Sequence, residues 1–170
     1  MIPELGRFLV LASVAFAASG AVIGLAAGAR KSLVGWRWAR QCALGFAASI
    51  IAANLLMTWA LISHDFSVGY VAKVGSLSTP LYFTIVSLWA SLDGSILFWG
   101  GILGAYVGLF AWIEGDRRRE YTPWALGVML LVCVFFAMLV ASVADPFARC
   151  LLYTSPSPRD VEESRMPSSA

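Results

Sequence analysis

Charge is what this sequence has least of. Asp, Glu, Lys and Arg together make up 13% of the 170 residues, about half the share of an ordinary soluble domain. Hydrophobic residues make up 59% and the mean hydropathy is +0.78, which excludes a conventional soluble globule. There is one histidine. The cysteines, Cys42, Cys133 and Cys150, are far apart and form no C-x-x-C or His-paired pattern, so no metal or dithiol site is written in them. Cys42 and Cys133 read as small apolar residues inside helices. The sequence also lacks a phosphate-cradling glycine loop, a Ser-His-Asp set and a basic patch suited to nucleic acid, so no catalytic residue is readable and no nucleic-acid partner is expected.

What is present is a set of long charge-free runs, at 8–29, 41–63, 95–113 and 121–144. Each can cross a bilayer core. Lipid offers the backbone no hydrogen-bond partner, and runs of this length satisfy themselves as helices, not as barrel strands of about ten residues. The expected fold is all-α integral membrane, with four transmembrane helices over about 8–29, 41–63, 95–113 and 123–144. The first run does not read as a cleaved secretory signal. Glu4 offsets Arg7, leaving no positive n-region, and the apolar run exceeds a typical h-region.

Loop charges set the expected orientation. Arg30, Lys31, Arg37 and Arg40 lie between the first two runs with no acid, and Arg117, Arg118 and Arg119 lie between the last two beside Glu114, Asp116 and Glu120. Short basic loops stay cytoplasmic. The connection 63–94 has Lys73 as its single Lys or Arg and is expected outside, together with the amino terminus. Trp36, Trp38, Trp59, Trp99, Trp112 and Trp124 fall near the expected helix ends, where indoles favour the interface.

Small residues recur at four-residue spacing: Gly20, Gly24 and Gly28, then Gly45, Ser49 and Ala53, then Gly100, Gly104 and Gly108. Such spacing lets helices approach closely in lipid, although glycine- and alanine-rich sequences also produce it by chance. No Asp, Glu, Lys or Arg stands mid-run, so the proton relay or ion-coupling pair of many transporters is missing from this stretch. Asn54 is the main polar group at depth, and its expected role is an interhelical hydrogen bond.

The connection 63–94 is too long for a tight turn and too aromatic for a flexible linker, and such connections are usually functional. Its part from Pro80 to Leu92 is apolar but short of a crossing, so an outer interfacial helix is expected between the second and third spans. Asp93 and Ser95 are placed to cap the third spanning helix. His64, beside Asp65 at the end of the second span, is a weak candidate for a haem-iron ligand. Its simpler role is that of a solvated interfacial residue.

Four segments carry a resemblance. MIPELGRF at 1–8, DFSVGYVA at 65–72, LWASLDGSILFW at 88–99 and DPFAR at 145–149 resemble, in this order, the beginning of the CcmF family of haem-lyase subunits and its nitrite-reductase-associated branch. The third segment in that family usually reads W-G-x-x-E-G-S-L-L-L-W. This chain matches it at Trp89, Gly94, Ser95, Leu97 and Trp99 and departs at Ala90 and Asp93. The resemblance implies haem handling at the outer side of the bacterial inner membrane, with covalent attachment of haem to apocytochrome c. The implied partners are other cytochrome c maturation membrane subunits, a haem chaperone and apocytochrome c. The implied cofactor is haem, with the family's ligand histidines and tryptophan-rich segment downstream of this stretch. His64 matches no family ligand position, so stable haem binding by this chain alone is not expected.

From Cys150 the sequence turns polar, and residues 150–170 hold three of the seven prolines. A disordered tail is one reading. The favoured one is non-native sequence, because CLLYTSPSPRD and SRMPSSA resemble translated sequencing adapter. Native sequence would then end at Arg149, as a truncated haem-lyase subunit. The alternative function is a small multi-pass transporter or scaffold.

Overall fold

The computed structural model describes residues 1–74, 80–89, 91–115 and 120–148. Helix α1 spans Ile2–Arg30, α2 Leu33–Ile62, α3 Gly69–Val74, α4 Leu81–Val86, α5 Leu92–Glu114 and α6 Thr122–Leu139. A 3₁₀ turn, Ser87–Trp89, follows α4, and a π-helical turn, Val140–Ala144, prolongs α6. The described residues form an all-helical structure. Four of its helical stretches, α1, α2, α5 and Thr122–Ala144, are long and apolar enough to cross a membrane.

Helices α1, α2 and α5 start before their charge-free runs, because the chain marks helix starts with caps and prolines, not with loss of charge. Pro3 and Pro123 sit in the first turns of α1 and α6, where a missing N–H costs nothing. Lys31 adopts left-handed φ 51°, and the N–H groups of Lys31 and Ser32 close onto the carbonyls of Gly28 and Ala27, a Schellman end for α1. Ser32 then caps α2 by accepting from the Gly35 N–H at 3.2 Å. The expected basic loop is therefore reduced to Lys31 and Ser32, and Arg37 and Arg40 ride on α2.

In the bundle, α1 packs along both α2 and α6, and α2 packs along α5. The small-residue positions make these contacts. A Cβ on Gly24 would stand 3.0 Å from the Gly127 Cα, so α1 and α6 cross backbone to backbone. Between α5 and α2, Gly108 leaves room for the Ala47 side chain, whose Cβ would stand 2.8 Å from a Cβ placed there. The core around Ala17, Phe46, Ile50, Met57, Leu97 and Leu130 is fully buried. Outward faces carry Leu11, Val22, Leu109, Leu131 and Phe135, exposed as a lipid-facing surface requires.

All four spanning elements bring the ends nearest Met1, Ile62, Leu92 and Ala144 to one end of the bundle, and the ends nearest Arg30, Leu33, Glu114 and Thr122 to the other. At that second end Trp36 corrects its interfacial assignment. It is 1% exposed, and its Nε1–H donates to the Gly115 carbonyl at 3.1 Å. Arg40 Nε donates to the Ala111 carbonyl at 2.9 Å. Side chains from α2 thus satisfy carbonyls that the end of α5 leaves open. Lys31 and Glu120 pair at 2.9 Å with both side chains mostly exposed, a contact that contributes little on its own.

Candidate functional site at the Met1 end of the bundle

Motif segments far apart in sequence meet at the Met1 end. After α6, the π-helical turn and Asp145 (φ 18°, ψ 65°) turn the chain back, so that the Phe147 ring covers Gly6 on α1. Phe147 is 2% exposed. Arg7 reaches Asp145 at 4.0 Å, and the Gly69 N–H donates to the Ala148 carbonyl at 2.7 Å. MIPELGRF, DFSVGYVA and the described part of DPFAR are thereby held together.

The fourth segment joins through Tyr70. Its hydroxyl donates between the carbonyls of Ser87, at 2.7 Å, and Leu88, at 3.0 Å. Tyr70 is 3% exposed. Burial raises its phenol pKa; a Ser91 hydrogen bond opposes the rise and the Asp93 carboxylate adds to it. Gly94 fits beneath this bond, where a Cβ would collide with the Leu88 carbonyl and the Tyr70 hydroxyl. The glycine in the D-G-S sequence is therefore there for close approach.

Asp93 does not cap α5. The N-cap is Ser91, without a side-chain cap bond, and Asp93 lies in the first turn. Its carboxylate faces Lys73 Nζ at 3.4 Å and the positive end of the α5 dipole. Ser95 turns its hydroxyl back to the Leu92 carbonyl at 2.9 Å. Trp89, 53% exposed, meets Phe98 edge to face at 5.3 Å, and Phe98 meets Trp99 at 6.4 Å. The segment Pro80–Trp89 contains α4 and the 3₁₀ turn rather than one continuous helix.

His64 has a structural role that the sequence did not reveal. It takes left-handed φ 52°, and the N–H groups of His64 and Asp65 close onto the carbonyls of Leu61 and Ala60. This is the Schellman end of α2. The ring lies 6.3 Å from Phe66, and Nε2 is buried without a hydrogen-bond partner. No group of three His, Cys, Asp or Glu among the described residues could hold a metal ion.

Asn54 makes the expected interhelical bond. Its Nδ2 donates to the Ile50 carbonyl at 2.9 Å and, across the α2–α5 interface, to the Leu97 carbonyl at 3.0 Å. Cys133 is buried and Cys42 half-buried, both as free thiols. Residues 150–170, including Cys150 and the proposed non-native tail, lie outside the described residues, as do Ala90 and Arg117, Arg118 and Arg119.

No protein-family model matches the chain. It is 29% identical over 154 residues to the cytochrome c-type biogenesis protein CcmF of Pseudomonas aeruginosa, covering 91% of this chain and 23% of that protein. It is 28% identical over 151 residues to the cytochrome c-type biogenesis protein NrfE of Haemophilus influenzae, covering 88% of this chain and 24% of that protein. A solved structure of the cytochrome c haem lyase CcmF superposes with a TM-score of 0.79 and 33% identity, over 86% of this chain and 25% of that one. The chain spans about a quarter of the length of these relatives. By sequence and by fold, the chain belongs to the CcmF/NrfE family of cytochrome c-type biogenesis proteins.

Proposed function

We propose that the chain is the amino-terminal transmembrane part of a haem-lyase subunit, which delivers and attaches haem to apocytochrome c outside the bacterial inner membrane. The convergence of the four motif segments on the Met1 end supports this reading most directly: Gly69 on Ala148, Gly6 under Phe147, and Tyr70 over Gly94. In this reading the Met1 end faces the periplasm, and the part described here is a platform rather than the reaction centre. Haem and its ligands belong to the remaining three quarters of a family-length polypeptide, and residues 150–170 are non-native. Partners would be further maturation subunits, a haem chaperone and apocytochrome c, reached at the periplasmic side.

The test is a chimera in which residues 1–148 replace the aligned segment of the Pseudomonas aeruginosa relative, expressed in a strain lacking that protein. Covalent haem staining of c-type cytochromes should be restored. A chimera that accumulates in the membrane but restores none would overturn the reading.

A further inference from the structure

Between α2 and α5 an open groove of about 340 Å³ runs along the outer flank of the bundle, with Asn54, Leu55 and Thr58 on one wall and Phe98, Gly101 and Ala105 on the other. Its one amide is oriented unambiguously. Both neighbours of Asn54 Nδ2 are carbonyl oxygens, of Ile50 and Leu97, so the NH₂ must lie there and the amide oxygen elsewhere. Oδ1 has no donor among the described residues. Thr58 supplies none, since its hydroxyl is turned to the Asn54 carbonyl at 2.9 Å. Asn54 is eight residues from the end of α2 at Ile62, about 12 Å along the axis, a depth at which water does not satisfy it.

We infer that this groove is the docking site for a transmembrane helix from the remainder of the family-length polypeptide, which presents a hydrogen-bond donor to Asn54 Oδ1. Three features favour a helix over lipid. An acyl chain carries no donor and would leave the amide oxygen unsatisfied. Ala105, exposed on the opposite wall, is small enough to admit a second helix backbone, while Gly101 is already covered by the Asn54 amide. The relatives also extend to about four times the length matched here, which leaves a long stretch of a family-length polypeptide from which such a helix can come. The inference rests on the family reading proposed above.

The experiment uses the full-length chimera with a photoreactive benzophenone side chain at Ala105. Irradiation of inner membranes should join Ala105 to a peptide of the same polypeptide beyond residue 148. Asn54→Leu should lower that yield about three- to ten-fold, the effect of losing one interhelical polar contact. Ile102→Trp fills the groove while leaving Asn54 and its two bonds in place, and should lower the yield likewise; it decides the matter if Asn54→Leu fails to accumulate. Adducts confined to lipid, adducts to a separate protein, or a yield indifferent to Ile102→Trp would overturn the inference. Failure of the family reading shows separately, as absent cytochrome maturation in the unsubstituted chimera.

Discussion

At the scale of single residues, the Met1 end depends on one glycine and one phenol. Gly94→Val places a side chain against the Leu88 carbonyl, a backbone atom that cannot rotate away. We expect a loss of about 1–3 kcal/mol or more, read as a lowered unfolding midpoint in detergent and reduced accumulation. Normal accumulation would show that this convergence of segments is dispensable. Tyr70→Phe keeps the ring and loses one hydroxyl bond, about 1 kcal/mol. The raised Tyr70 pKa carries a sign: the stability contributed by its protonated hydroxyl is complete below the unfolded value of about 10 and is lost as pH rises through the higher folded value. The wild type should therefore lose stability more steeply above pH 10 than Tyr70→Phe does, and parallel alkaline curves would refute the assignment.

His64 gives the opposite sign. A non-glycine residue in the left-handed region costs about 1 kcal/mol, and the buried Nε2 has no partner to repay it. His64→Gly should raise the unfolding midpoint, with no change in cytochrome maturation by the chimera. A loss of maturation with unchanged accumulation would instead make the imidazole a working group. By the same reasoning, the purified chain should yield no stoichiometric low-spin haem spectrum, and a clear one would count against placing the ligands elsewhere.

Among the helices, α1 and α6 cross backbone to backbone. Gly24 and Gly127 face each other there, and a Cβ on Gly127 would meet the Leu25 backbone nitrogen at 2.9 Å. Gly24→Leu should separate the two helices and lower stability by about 1–3 kcal/mol, whereas Val22→Leu, on an outward face, should change little; equal effects of the two would deny the crossing. The number of spanning helices and their small-residue contacts were legible in the sequence, because charge-free length and four-residue spacing survive without tertiary information. The ends were less so. Arg37 and Arg40 looked like loop residues, yet Arg40 is drawn onto α2 by the open Ala111 carbonyl of α5, and Trp36 is drawn inside by Gly115. Asp93 looked like a cap because α5 was expected to start three residues later than it does. The π-helical return that sets Phe147 on Gly6 depends on a contact across the whole chain, and no local pattern announces it. Nor does any local signal show that His64 ends its helix in the left-handed region, since glycine or asparagine is the usual marker.

For the whole molecule, the proposed orientation, with the Met1 end outside, rests on the charge distribution, which is clearer in three dimensions than along the chain. Arg30, Lys31, Arg37 and Arg40 all lie at the end formed by the α1–α2 turn and the start of α6, against Glu114 and Glu120. Arg40 is held there by its bond to the Ala111 carbonyl of α5. At the Met1 end the basic side chains among the described residues are Arg7 and Lys73, each set against an acid, Asp145 and Asp93. Basic residues close to the spans hold their end in the cytoplasm, whereas acids contribute little to that choice. An alkaline phosphatase fusion within 75–79 should therefore be active and one within 115–120 inactive, with a fluorescent protein that matures only in the cytoplasm giving the reverse. Replacing Arg30, Lys31, Arg37 and Arg40 together by Gln should lower the contrast between the two sites, because the retained bias at 117–119 is offset by nearby acids only weakly. Reversed activities in the unsubstituted chain would place the converging motif segments in the cytoplasm, away from where apocytochrome c receives haem, and would remove the platform role with it.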